Sequence, residues 1–184
     1  MKSIAIFGGA ETKPGENVYQ DAYELGKLLA KSGYVILNGG YMGVMEAVSK
    51  GAVECDGHVI GITCDEIETW RPAVPNPWIR EEIRYPTLRQ RLFALIDRCD
   101  AAIVFPGGIG TLGELVLMWS HLLIGAISPR PLILIGQEWN NFLRMYYSQF
   151  GEYVNEKHRH WVIYQQNFHQ AFQFLEQIRL SENH

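Results

Sequence analysis

The sequence is punctuated by short apolar runs that stop at glycines and then pass into a helical pattern. The sharpest case is residues 101–105, an apolar strand, followed by Pro106-Gly107-Gly108-Ile109-Gly110-Thr111-Leu112-Gly113-Glu114. Residues 115–127 are then almost wholly apolar, too long for a strand and so expected as a helix. A glycine turn between the carboxyl end of a strand and the amino end of a helix constrains a chain strongly. In an open α/β sheet such turns face a crevice, and unpaired helix N–H groups point into it. Gly107, Gly108 and Gly110 are expected to take positive φ and let the backbone approach a bound group, with Thr111 adding a hydroxyl donor. Such a nest suits a phosphate. Glu114 lies one turn into the helix on the same crevice. A carboxylate there repels a phosphate in direct contact, so its expected place is at the reacting end of a substrate.

The same rhythm runs through the chain. Residues 3–7 form a strand ended by Gly8-Gly9-Ala10, and a polar loop over 11–16 follows. Asn17 with Gln20 predicts a capping box for a helix to about Ser32, with Ala22, Leu25, Leu28 and Leu29 as its apolar stripe and Gly33 closing it. Residues 34–37 form the next strand, and Asn38-Gly39-Gly40-Tyr41-Met42-Gly43 turns into a helix through Val44, Ala47 and Val48. Packing alone could explain that second turn, but glycine turns at equivalent strand ends suggest that both face one ligand. With a strand at 57–62, the spacing predicts an α/β fold: a single Rossmann-like domain over residues 1–184, its doubly wound, mostly parallel sheet flanked by helices.

Residues 63–77 break the rhythm. Trp70, Pro72, Pro75 and Pro77 are unsuited to a helix or a central strand, and the stretch is expected to pass over the binding face. Residues 79–85 form a short strand, and Pro86 at a first helical position opens a helix over 87–98. Leu88, Leu92 and Leu95 make its expected buried stripe, leaving Arg91 and Arg98 on other faces. A strand at 131–135, an amphipathic helix at 139–150, a strand at 161–164 and a helix capped by Asn167 and Gln170 complete the chain.

A net charge of −4 without any lysine or arginine run disfavours a nucleic-acid surface. The amino terminus has too few apolar residues before Gly8 for a signal peptide or membrane span, so a cytoplasmic protein is expected, with no membrane partner. Cys55, Cys64 and Cys99 show no CxxC spacing, and His158 and His160 fall in a polar turn, so no metal site is expected. Gly8-Gly9-Ala10 is not GxGxxG, and Asn38 stands where a dinucleotide fold needs an acid, which leaves nicotinamide binding a weak alternative. GxxxxGK[ST] and GxSxG motifs are absent. What remains is a phosphate nest, a carboxylate and arginines on the preceding helix. These parts suit cleavage at a sugar's anomeric carbon, where a carboxylate stabilises developing positive charge or activates water.

The nine residues from Pro106 to Glu114 match the PGGxGTxxE signature of the LONELY GUY family, cytokinin-activating nucleoside 5′-monophosphate phosphoribohydrolases. The resemblance extends over Ile4 to Gly9, Tyr19-Gln20-Asp21-Ala22, Gly39-Gly40 with Gly43 and Met45, and Gly57-His58-Val59-Ile60-Gly61. It implies a Rossmann-like fold, hydrolysis of an N-glycosidic bond to free base and ribose 5-phosphate, no cofactor, and a homodimer or larger homo-oligomer. It also implies that Arg91 and Glu114 are the catalytic pair. Gly8, Gly9, Gly39, Gly40, Gly43, Gly107, Gly108, Gly110 and Thr111 are the expected contacts to the nucleoside monophosphate and its phosphate.

The chain departs from the family on the arginine helix, where Leu88-Arg89-Gln90-Arg91-Leu92 replaces MHxRK, and at Gly113-Glu114, which replaces a doubled glutamate. The same superfamily includes molybdenum-cofactor carriers and nucleotide sensors that bind without cleaving, and that alternative stands beside the hydrolase. Between Leu115 and Ile127 the apolar residues surround the whole helix, more than one sheet face can cover, so a homodimer is expected to bury part of it.

Overall fold

In the computed structural model, which describes residues 2–182, the chain forms one seven-stranded sheet with helices on both faces. The strands are β1 (Ser3–Phe7), β2 (Val35–Asn38), β3 (Val59–Cys64), β4 (Glu81–Tyr85), β5 (Ala101–Val104), β6 (Leu132–Ile135) and β7 (Ile163–Gln165). Their order is β4-β3-β2-β1-β5-β6-β7, and every neighbouring pair is parallel. The α-helices are α1 (Asn17–Lys31), α2 (Val44–Val53), α3 (Asp65–Trp70), α4 (Leu88–Asp97), α5 (Ile109–Leu123), α6 (Gln137–Phe150) and α7 (Phe168–Glu182).

Strand periodicity sorts the core into two layers. In β1, Ile4 and Ile6 pack with residues of α1, α2 and α7, whereas Ala5 and Phe7 pack with residues of α4, α5 and α6. A strand buried on both faces has no polar side, which is why these runs are continuously apolar. Edge strand β4 instead carries exposed Glu81, Glu82 and Arg84, charges that discourage pairing with another chain.

From β1 the chain runs outward to β4, then returns to set β5 on the other side of β1. Beyond these two strands the chain therefore passes to opposite faces of the sheet, to α1 after β1 and to α5 after β5. That divergence opens the crevice in which α/β sheets take ligands.

Several local expectations change in three dimensions. Helix α5 starts at Ile109, inside the glycine turn, and stops at Leu123 rather than near residue 127, because Gly125 at φ 70° ends it. Pro86 is not the first helical residue: Thr87 caps α4, its hydroxyl accepting from the Gln90 amide at 3.3 Å. The buried face of α4 is Arg91, Ala94, Leu95 and Ile96, while Leu88 is exposed and Leu92 half-buried. Arg91 is thus on the inward stripe, where its Nε reaches the Ile62 carbonyl of β3.

The capping box at Asn17 does not form. Glu16 holds the cap position and the Gln20 side chain donates to Glu24, whereas Asn167 does accept from the Gln170 amide ahead of α7. Residues 63–77 include the short helix α3, with Asp65, Glu66 and Glu68 favoured in its first turn. It gives way to extended backbone at Arg71, the residue before Pro72.

Helices α1 and α2 pack backbone to backbone. A Cβ on Gly26 would collide with the Val48 carbonyl, and one on Gly51 with the Tyr23 carbonyl. In an open helix, alanine is more stable than glycine by about 0.5–1 kcal/mol. Here the opposite sign is expected: Gly26→Ala or Gly51→Ala should cost about 1–3 kcal/mol. Urea unfolding checks this, and an unchanged or higher midpoint would contradict the close packing.

Candidate active site

Three glycine turns meet at the carboxyl end of the sheet. The Gly9 amide donates to the Pro106 carbonyl at 3.1 Å, and the Val44 amide at the start of α2 donates to the Gly9 carbonyl at 3.0 Å. The turns after β1, β2 and β5 are thus tied together.

Their glycines divide by what surrounds them. Gly107, Gly108 and Gly110 are exposed, and a Cβ on Gly108 or Gly110 would meet nothing within 4 Å. Positive φ, expected at these three, occurs instead at Gly40 (83°) and Gly43 (73°). Gly108 is the extended cap residue of α5 (φ −86°, ψ −155°) and Gly110 is already helical, so neither needs it. No side chain caps α5, which leaves its first-turn amides facing the crevice, with Thr111 buried behind them. Gly107 and the glycines of the other two turns are closely packed, a Cβ on Gly107 lying 2.8 Å from the Gly9 nitrogen. A Cβ on Gly8 would lie 2.6 Å from Val44, one on Gly9 3.3 Å from the Pro106 carbonyl, and one on Gly40 2.6 Å from Thr63. One on Gly43 would strike the Gly9 carbonyl, and one on Gly39 the Arg91 guanidinium.

Arg91 from α4 and Glu114 from α5 come together under this roof. Both are buried, 5% and 8% exposed, with Arg91 Nη1 3.6 Å from Glu114 Oε1. That separation makes an ion pair but is too long for a direct hydrogen bond. Arg91 Nε donates to the Ile62 carbonyl at 2.8 Å, which fixes the base of the guanidinium. Burial pushes the Glu114 carboxyl up from 4.5 to about 7, and the opposing charge of Arg91 does not cancel that effect. A carboxyl balanced near neutrality can hold or take up a proton at little cost.

Four further residues build the site without having stood out as site residues in the sequence. Asn38 Oδ1 accepts from the Gly40 amide at 2.8 Å, and its Nδ2 donates to Ser49 Oγ at 2.9 Å, so Asn38 braces the second turn from within. Asn76 Nδ2 donates to the Tyr41 carbonyl at 2.8 Å, pinning the proline-rich stretch to that turn. Tyr41 lies beneath the Arg91 guanidinium, 5.8 Å from its ring centre. The available signals were an asparagine set between Pro75 and Pro77 and an aromatic residue inside a glycine turn. Arg89, in the position of the family histidine, is exposed and packs over Phe93. His158 and His160 lie on the 3-10 helix Glu156–Trp161. Among the described residues no group of three or more His, Cys, Asp or Glu side chains is placed to hold a metal. None of the described helices is long and apolar enough to cross a membrane.

The chain is similar to several known proteins. A cytokinin riboside 5′-monophosphate phosphoribohydrolase of Rhodococcoides fascians is 30% identical over 137 residues, 73% of this chain and 67% of that protein. A pyrimidine/purine nucleotide 5′-monophosphate nucleosidase of Escherichia coli K12 is 35% identical over 142 residues, 72% of this chain but 30% of that longer protein. The molybdenum cofactor binding protein of Rippkaea orientalis shares the fold, with a TM-score of 0.75 at 23% identity over 96% of each chain. The sequence model of the SLOG cluster4 family matches residues 1–160. The chain therefore belongs to the SLOG cluster4 family and is a relative of the LONELY GUY phosphoribohydrolases.

Proposed function

We propose that the protein hydrolyses the N-glycosidic bond of a nucleoside 5′-monophosphate, releasing the base and ribose 5-phosphate. The observation that carries this reading is the buried Arg91–Glu114 pair, 3.6 Å apart, beside the uncapped amino end of α5. The phosphate binds at the amides of Gly108, Gly110 and Thr111, where helix polarity favours an anion. Glu114 lies four residues further along the helix, a rise of about 6 Å that a ribose ring can bridge. Its carboxylate then faces the anomeric carbon. As the C1′–N bond lengthens, positive charge grows on the ribose and is stabilised by Glu114; water adds to C1′, giving up a proton, and the departing base takes one up. Arg91 is always protonated and is not the acid. It holds a ribose hydroxyl or the base, and partly offsets the effect of burial on Glu114. Relatives named for this class of reaction support the reading.

The reading distinguishes the two members of the pair. Glu114 acts mainly in the transition state, so Glu114→Gln should lower kcat at least about a hundredfold while leaving affinity for the monophosphate nearly unchanged. Arg91→Ala should weaken both affinity and kcat, and Arg91→Lys should restore only part because the forked donor geometry is lost. Undiminished turnover in Glu114→Gln would remove the hydrolase reading, and tight binding without any product in the native protein would point to a carrier.

The raised carboxyl also fixes a pH dependence. The working form is the carboxylate, so kcat/KM should fall as pH drops through about 7 and level off above it. A profile flat between pH 5 and 8, about two units below and one above that value, would contradict Glu114 as the titrating group.

A second copy completes this proposal. Val116 and Leu123 on α5 and Ile124 just beyond it remain exposed, Ile124 by 75%, next to an aromatic groove of about 550 Å³ that Trp119, Phe142, Tyr146 and Tyr153 help to line. Burying that surface in a homodimer would remove a large apolar patch from water. Sedimentation at micromolar concentration should give twice the 21.0 kDa chain mass, and a 21.0 kDa species would exclude the dimer.

A further inference from the structure

Arg91 needs something to lie on. Its side chain is long, and its Nε donates a hydrogen bond to the Ile62 carbonyl. Gly39 leaves room on one side, since a Cβ there would strike the guanidinium. The guanidinium carbon sits over the Tyr41 ring, 5.8 Å from its centre. Tyr41 is itself 1% exposed and held at both ends. Its hydroxyl accepts from the Cys64 amide at 3.0 Å and lies 3.2 Å from the Cys64 carbonyl and 3.4 Å from Glu68 Oε1. Glu68 is in turn clasped by Arg84, with Nη1 and Nη2 at 2.9 and 2.6 Å from its two oxygens. Asn76 holds the Tyr41 carbonyl. The ring is therefore fixed by contacts that do not involve Arg91.

We propose that Tyr41 is a positioning residue of this site, its ring acting as a rigid platform that keeps the Arg91 guanidinium within reach of Glu114. An aromatic face attracts a guanidinium without consuming its N–H donors. A carboxylate or carbonyl in that place would compete for them. With Nε on Ile62 and the ring beneath, Nη1 faces Glu114 while Nη2 lies against Gly39. Burial raises the Tyr41 phenol above its ordinary range, so the platform stays neutral while Arg91 and Glu114 carry the charge.

The kinetic part of this inference rests on the proposed hydrolase; the effect of the platform on the ion pair does not. The test therefore titrates Glu114 in the unliganded protein, using carboxyl-labelled glutamate and Glu114→Gln to identify the signal. Tyr41→Phe keeps the aromatic face but loses the hydroxyl's hold on Cys64, so it should shift the Glu114 midpoint less than Tyr41→Leu does. Tyr41→Leu keeps apolar bulk but frees Arg91 to move away, and should raise the Glu114 midpoint by about one unit, with kcat at least about tenfold lower. If Tyr41→Leu does not fold, replacing Tyr41 by pentafluorophenylalanine keeps the shape, reverses the ring's electrostatic face and should raise the midpoint in the same way. An unchanged Glu114 midpoint in the folded ring-altering variant overturns the proposal. If the native protein releases no ribose 5-phosphate yet the midpoint still responds to residue 41, the hydrolase falls and the platform stands.

Discussion

The structure of the site depends on one costly interaction, the burial of Arg91 against Glu114. Taking two charges out of water is unfavourable, and a pair 3.6 Å apart without a direct hydrogen bond recovers only part of that cost. The consequence is visible in Glu114, whose carboxyl is pushed to about 7. The folded protein holds that proton more tightly than the unfolded chain, so this group subtracts stability as pH rises from about 4.5 through about 7. Such strain suits a site whose carboxylate is needed in the transition state rather than in the resting fold.

Everything around the pair can be understood as holding it in place. The sheet order sets β1 and β5 side by side with diverging loops, so α4 and α5 converge on one crevice from the same face. The closely packed glycines bring the β1 and β2 turns together, and Gly39 leaves space for the guanidinium. Ile62 and Tyr41 fix where that guanidinium lies, and Asn38, Ser49 and Asn76 fix Tyr41's turn. Within these turns, Gly108 and Gly110 have open space around them.

Much of the fold was legible in the sequence because central parallel strands are apolar on both faces and their glycine turns mark the ends. Residues 3–7 and 101–105 correspond closely to β1 and β5. Local rules failed where tertiary geometry overrode them. Of the three leucines expected as the buried stripe of α4, Leu95 is buried, but the inward position one turn before it belongs to Arg91, because the partner that accommodates a buried charge lies on a different helix. Positive φ fell at Gly40 and Gly43 rather than in the nine-residue motif, because that motif is largely the start of a helix. The proximity of Tyr41 to Arg91 joins residues far apart in sequence, and no periodicity reports it.

The most direct measurement is the product balance when purified protein meets a panel of nucleoside 5′-monophosphates and the matching nucleosides. If the helix terminus holds a phosphate so that Glu114 faces the anomeric carbon, at least one monophosphate will yield base and ribose 5-phosphate in equal amounts. Its nucleoside, lacking the group that positions the sugar, will react far more slowly. No ribose 5-phosphate from any monophosphate, or equal rates with and without the phosphate, would contradict the role given to the Arg91–Glu114 pair.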